Sequence, residues 1–470
     1  MIDEAARKKR RHRNERIVAA IVILIAAATT AIFAFWNARA ARELRRDQSY
    51  IPKKALVTPE VLLLQQYVRI DTSTPAGASA GARWLVAFLA RNGVQAELIA
   101  SAPDRLNVYA RIRGKKSDGG LLLFNHIDVV PAEGAWWDPP FSGKIVVDTM
   151  RGRGTLDMKG IAICQLLAFL EIAKSGETPE HDIIFLATAD EETGSEYGMQ
   201  WLLAHRPDVF ERIGYGITEG GVTEIIRSRM TYFGIETGGK QVVKITLAAN
   251  DIETMRRLRI VLEPYMVPNQ PLRVLPVVRE YFHATAPTRI AFRPYLNDID
   301  WAIREGHFWR LPQAYRELTQ NTIWCSDAFS LPDRWVMNIH LRNLPDENPD
   351  ARIAWLRGIA EPMGVRLESI WTKEGPSPIS PTNTPLFALL AREATRRYRA
   401  PVGPQLGYRS SSDARFLRPR GIVCYGVSPY PVDLGQSSSI HGMNERVRID
   451  GFAEGVEFMK NIVRDWAGVE

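Results

Sequence analysis

The sequence predicts an α/β protein. One sheet is built from strands alternating with helices, an α+β unit interrupts it, and one transmembrane helix precedes it. Three observations carry this expectation. Short apolar runs bounded by turn residues, Leu121–Phe124 and Asp182–Ala187, have the character of strands buried on both faces. A helical stretch, Ile161–Ala173, lies between them and closes near Gly176. Ile17–Trp36 is an uncharged run in which only Thr29 and Thr30 are polar. At about 1.5 Å per residue it reaches roughly 30 Å, the thickness of a bilayer core.

The elements follow in order. Arg7–Arg11, Arg13 and Arg16 precede the apolar run, and Arg39, Arg42, Arg45 and Arg46 follow it. The heavier N-terminal flank predicts a cytoplasmic tail at 1–16, an anchor at 17–36 and a stalk at 37–57. The remainder would then be extracytoplasmic, periplasmic in a Gram-negative cell. Thr58-Pro59-Glu60 starts a helix, with a capping hydroxyl and proline in the first turn. Ala82–Arg91 is amphipathic and stops at Asn92-Gly93. Val94–Ala100, Leu106–Ile112 and Tyr215–Thr218 complete the first set of strands. The character changes near Gly238. Strands at Val242–Leu247, Trp335–Leu341 and Val365–Trp371 alternate with helices at Ile252–Tyr265 and Asp350–Glu361, around a polar, proline-containing region. The α/β pattern resumes with a helix at Pro385–Tyr398, a strand at Ile422–Val427 and a helix at Gly451–Trp466 capped by Asp450. The predicted division is therefore 58–237 and 374–470 as one domain in two parts, with 238–373 inserted.

The charge excludes one class of partner. The chain carries +7 overall, but residues 1–50 hold eleven Lys/Arg against five Asp/Glu, so +6 sits there and +1 is left elsewhere. The globular part has no basic footprint for nucleic acid. Cys164, Cys325 and Cys424 lie in apolar stretches and are expected as buried free thiols.

Chemistry-bearing residues recur where strands end. His126 and Asp128 close the Leu121–Phe124 strand, where ligands of open α/β sheets bind. Asp128 is placed to fix the tautomer of His126 and leave one ring nitrogen for a metal. Asp157 follows Gly152-Arg153-Gly154-Thr155-Leu156. Asp190-Glu191-Glu192, Glu219 and His441 follow later strands. Two histidines and several carboxylates at neighbouring strand ends suit zinc or another divalent first-row metal.

These segments resemble the co-catalytic zinc peptidases and deacylases: aminoacylase, carboxypeptidase G and succinyl-diaminopimelate desuccinylase. The wording is nearest to N-fatty-acyl-amino-acid hydrolases and carboxypeptidase S-like members. The similar stretches are His126–Ala132, Trp137–Gly143, Gly152–Gly160, Asp190–Gly194, Glu219–Gly221, Ser412–Phe416 and His441–Glu445. The resemblance implies a mixed sheet flanked by helices, of the zinc exopeptidase kind, with 238–373 as a lid and dimerisation domain. It also implies two Zn2+, or Co2+ or Mn2+, bridged by Asp157. His126 and Glu219 would complete one site, and Glu192 and His441 the other. Asp128 would orient His126, and Glu191 would be the general base. The implied activity is hydrolysis of an amide bond in a small peptide or N-acyl amino acid, in a homodimer joined through the lid. A membrane-tethered metal-binding homologue with little catalysis, acting as receptor or scaffold, is the reading from another class.

The insert departs from the family pattern. A Gly-His-Ser/Ala turn, whose histidine stabilises the oxyanion, usually follows the first lid strand, but Lys244–Ile252 holds no histidine. Ser330-Leu331-Pro332-Asp333-Arg334 stands where an Asn-x-Ile-Pro is usual. Arg342 resembles the arginine that binds the substrate carboxylate. His283 and His307 are the candidate replacement oxyanion donors, and His340 is expected to pack against its own domain.

Overall fold

Gly120–His126 is the strand on which the molecule is built. All seven residues are buried, because helices cover both faces of the sheet and strands flank both edges. The structure, a computed structural model, describes residues 57–226, 229–266, 272–407 and 412–469. The sheet has nine strands. It runs from Glu97–Ala102 through Arg105–Ile112, Ile183–Thr188, Gly120–His126, Ile213–Thr218, Val423–Gly426 and Arg229–Gly239 to Val402–Gly407, with Thr223–Ile226 paired to Arg229–Gly239. Its middle strands are parallel, and Arg105–Ile112 is antiparallel to Ile183–Thr188. The sheet is therefore mixed.

The helices form for legible reasons. Thr58 caps Pro59–Val68 through its hydroxyl, and Thr384 does the same for Pro385–Tyr398. Lys159–Ser175 is apolar nearly all round and is buried between the sheet and the last helix. It ends at Gly176, whose φ of 74° is a left-handed cap that glycine adopts without strain. Ile449–Ala467 turns Phe452, Val456, Met459 and Val463 inward at helical spacing. Asp450, expected as its cap, lies inside the first turn.

The chain leaves this sheet after Gly239 and enters a second at Gln241. That sheet has five strands: Thr322–Cys325, Arg334–Asn343, Gln241–Ala249 and Arg366–Lys373 in order, with Phe329–Leu331 also paired to Arg334–Asn343. Ile252–Met266 and Pro349–Ala360 cover one face, closing a separate core around Val243, Ile245, Leu258, Ile339, Leu341 and Leu356. The other face carries Lys244, His340 and Trp324 in register.

Two expectations are corrected. The stretch read as polar and irregular contains helices at Pro276–Thr285, Arg293–Asn297, Ile299–Arg304 and Gln313–Glu317. Val278, Phe282, Leu296, Ile299 and Phe308 pack with Tyr232 and Leu406, so this layer covers the edge of the first sheet. Three of these helices have only five or six residues, too few turns for a 3.6-residue period to show in sequence, whereas Pro276–Thr285 does carry the period in Val277, Val278, Tyr281 and Phe282. The second correction concerns location. The tail 1–16, the anchor 17–36 and the stalk through residue 56 lie outside the described residues. Among those described, no helix is long and apolar enough to cross a membrane. The single-pass membrane placement with an extracytoplasmic catalytic domain is withdrawn. The three cysteines are free and buried.

Candidate metal centre

Three adjacent parallel strands deliver most of the cluster. His126 is the last residue of Gly120–His126, Asp190-Glu191-Glu192 follows Ile183–Thr188, and Glu219 follows Ile213–Thr218. Asp157 sits in the turn before the Lys159–Ser175 helix. His441 comes from the loop between Val423–Gly426 and the short strand Arg446–Arg448.

Their functional atoms converge. Asp157 presents one carboxylate oxygen to each histidine: Oδ1 lies 3.1 Å from His126 Nε2, and Oδ2 lies 2.9 Å from His441 Nε2. Glu219 Oε1 is 3.6 Å from His126 Nε2, and Glu192 Oε2 is 3.1 Å from His441 Nε2. His126 Nδ1 is 2.8 Å from the carbonyl of Asp128. A carbonyl only accepts, so Nδ1 carries a proton, and Nε2 is the ring nitrogen that faces the carboxylates and would be free for a metal.

The Asp128 carboxylate acts on different groups from those anticipated. It is 3.7 Å from His126 Nδ1. It accepts the backbone N–H groups of Glu191 and Glu192, each at 3.1 Å. Asp190, at φ 56°, is the left-handed residue that turns both amides toward it. Asp128 therefore fixes the direction of two consecutive glutamates that leave the backbone on different sides.

Electrostatics show what the cluster favours. Burial opposes a charge on His126, but Glu219 and Asp157 outweigh it and hold its pKa well above the ordinary value. Burial likewise opposes ionisation of Asp157, and hydrogen bonds from His126 and His441 draw its pKa well below the usual range. Burial and the Asp157 charge push Glu219 well up and Glu192 up to about 7. Hydrogen bonds to Asp157 and Glu192 push His441 up to about 11. Crowded carboxylates that must borrow protons from two histidines are a site for cations. The donor chemistry fits: imidazole nitrogens and carboxylate oxygens suit divalent first-row metals. His126, Asp157 and Glu192 bring ligand atoms within 4.8 Å of one another, as do His126, Glu191 and Glu219. Glu191 differs from the other carboxylates because Arg415 Nη1 takes its Oε1 at 2.7 Å.

Two supporting residues lie inside the motifs. Glu445, fully buried, accepts the backbone N–H groups of Gly154, Leu156 and Asp157 at 3.0, 2.8 and 3.1 Å, and Arg153 Nη1 at 2.8 Å. One carboxylate thus clamps the turn that aims Asp157. Arg415 is the other. The sequence signal was their place inside His441–Glu445 and Ser412–Phe416, but nothing local says which backbone they reach.

The remaining predicted residues lie elsewhere. Arg342 stands on the second sheet opposite Val242 and Thr322. His340 is half-buried between Trp324 and Trp371, with ring centroids 4.9 and 5.8 Å away, on the open face of that sheet. His283 is exposed on the helix Pro276–Thr285, and His307 packs against Tyr295 and Trp301.

Known proteins resemble the chain in sequence and in fold. The model of peptidase family M20/M25/M40 matches residues 122–465. A succinyl-diaminopimelate desuccinylase of Bradyrhizobium sp. (strain ORS 278) is 34% identical over 172 residues, which is 34% of this chain and 44% of that protein. The match therefore spans less than half of that relative's length. The fold resembles an M20 family metallo-carboxypeptidase from Sulfolobus solfataricus, with TM-score 0.68 and 18% identity over 88% of this chain and 100% of that one. It also resembles human carnosine dipeptidase 1, with TM-score 0.65 and 13% identity over 87% and 97%.

Proposed function

Given that the chain belongs to peptidase family M20/M25/M40, whose members are metal-dependent peptidases and amidohydrolases, we propose that it hydrolyses an amide bond in a small peptide or N-acyl amino acid, with a pair of zinc ions as its metal. The observation that carries the reading is Asp157, with one oxygen turned to each histidine. Asp157 would be shared between the ions, His126 and Glu219 would hold one, and His441 and Glu192 the other. Such a pair supplies Lewis acidity, polarising the scissile carbonyl and making a nearby water more acidic.

The protein's own part is proton handling and orientation. Glu191 takes the proton of the attacking water as its oxygen bonds to the carbonyl carbon, and returns a proton to the leaving nitrogen as the C–N bond breaks. Arg415 holds Oε1, which leaves Oε2 for that proton. Asp128 keeps Glu191 and Glu192 pointing apart. Glu191 beside the cluster argues for turnover over a silent metal-binding scaffold. Arg342 would bind the substrate carboxylate. His283 and His307 are the candidate oxyanion donors, and loss of an oxyanion donor typically costs about a hundredfold or more in kcat. An alanine variant of the true donor lowers kcat at least tenfold at unchanged metal content, and no loss in either assigns the donation elsewhere.

The test joins metal analysis to turnover. Purified protein should carry two zinc-class ions per chain and release free amine from some member of a panel of dipeptides and N-acyl amino acids. Metal-loaded protein that turns over none of them would sink the proposal.

A further inference from the structure

Glu374 is the first residue after the strand Arg366–Lys373, where the chain returns from the second sheet to the first. Its Oε2 accepts the N–H of Val242 at 2.7 Å, and its own N–H donates to the Val242 carbonyl at 3.1 Å. Val242 lies just past the outgoing crossing, so Glu374 ties the two ends of the second sheet that join the first. Its Oε1 lies 3.5 Å from Arg415 Nε. The Arg415 guanidinium is 9% exposed, and its Nη1 holds Glu191 Oε1 at 2.7 Å. Nη2 lies 3.3 Å from Ser195 Oγ and 4.0 Å from Asp413 Oδ1.

We propose that Arg415 and Glu374 are positioning residues that couple the junction between the two sheets to Glu191. This rests on the reading of Glu191 as the general base. Arg415 is suited to the task because a planar guanidinium serves two carboxylates on different edges at once, whereas a lysine ammonium is a single point of charge. All three ionic side chains in the chain Glu191–Arg415–Glu374 are about one-tenth exposed, so water does little to loosen them. A shift of Val242 moves Glu374, and through Arg415 changes where Glu191 holds its second oxygen. The second sheet thereby acts on the chemistry through the position of Glu191, a role separate from the substrate binding proposed for Arg342.

The experiment is a set of mutant cycles read on kcat, KM and metal content. Glu374→Gln should lower kcat about tenfold with KM and metal content unchanged, within the range of coupling between connected sites. Arg415→Gln should cost more, and Arg415→Lys should restore only part of it. Glu374→Gln should add no further loss to Arg415→Gln, and Arg415→Lys none to Glu191→Gln, since groups acting through one another are not additive. Additive losses, or a kcat loss that tracks metal loss, overturn the coupling while leaving the base in place. Parent-level turnover in Glu191→Gln removes the base itself, and the coupling with it. If no panel substrate is turned over, hydrogen exchange decides. Arg415→Lys should speed exchange of the peptide carrying Val242 at least fivefold, and unchanged exchange there overturns the link.

Discussion

The ends of the first sheet and the open face of the second gather charged and aromatic groups in different ways. At the metal centre the functional carboxylates are aimed by other protein groups. Asp128 receives the amides of Glu191 and Glu192, Glu445 receives that of Asp157, and Arg415 grips Glu191. On the second sheet Lys244 and Trp324 stand opposite His340 in register. Lys244 lies 5.8 Å over the Trp371 ring. Burial, with Lys244 and Arg342 nearby, draws the His340 pKa down to about 4, so that row carries its charge on Lys244 and Arg342. Trp324 and Trp371 are each about half exposed. The first region is a set of directions fixed by backbone, and the second is a surface whose side chains lean on one another. Substitution should be punished by orders of magnitude in the first and by modest factors in the second.

The largest expected effect is at Asp157. Asp157→Ala removes the one carboxylate shared by both histidines, so metal analysis should find the pair lost and turnover should fall to background. Retention of both ions would break the comparison at its centre. Next is Glu191→Gln, which keeps the shape and cannot take a proton. Metal content should survive while kcat falls by about 10²–10⁴. Glu445→Gln is intermediate. It weakens the clamp on the Asp157 turn without touching a ligand, and metal titration should show affinity reduced about 10–100-fold. A value equal to the parent's would mean that the Asp157 turn holds itself.

On the second sheet, Arg342→Ala should raise KM about tenfold for substrates with a free carboxylate and leave amidated analogues unchanged, as expected for one charge-assisted hydrogen bond. Equal effects on both would remove Arg342 from substrate binding. The smallest effect belongs to Lys240, between the two sheets. Its ammonium donates to the carbonyls of Glu317 and Gln320, and burial draws its pKa down to about 7. The unfolded chain then binds more protons than the folded one between about pH 7 and 10, so this group makes stability rise with pH there. The slope is at most about 1.4 kcal/mol per pH unit. Urea unfolding of Lys240→Met should show a flatter rise over that window than the parent, and an identical slope would refute this.

Much of the metal centre was legible because its residues follow strands directly. An apolar run that ends on His126, or on Asp190-Glu191-Glu192, carries its ligand with it, and neighbouring parallel strands bring those ends together. The pattern that predicted the sheet therefore also predicted where its chemistry sits. The supporting contacts were not legible. Arg415 and Glu191 are 224 residues apart, and Glu445 and Asp157 are 288 apart. Nothing in the spacing of a charged residue says which distant amide or carboxylate it will meet.

The sequence by itself determined the alternating strands and helices, the change of character near Gly238 and the set of histidines and carboxylates gathered at strand ends, because each depends on short-range periodicity or on residues at a strand's end. It left most of the helical layer at Pro276–Glu317 unread, because its five- and six-residue helices carry no clear period and the layer is held by packing on Tyr232 and Leu406. Only the tertiary structure decided that His126 is fixed by a backbone carbonyl, that the Asp128 carboxylate accepts the amides of two glutamates and that Arg415 stands between Glu191 and Glu374. Those are questions of where a side chain's second partner lies, and long-range packing alone answers them.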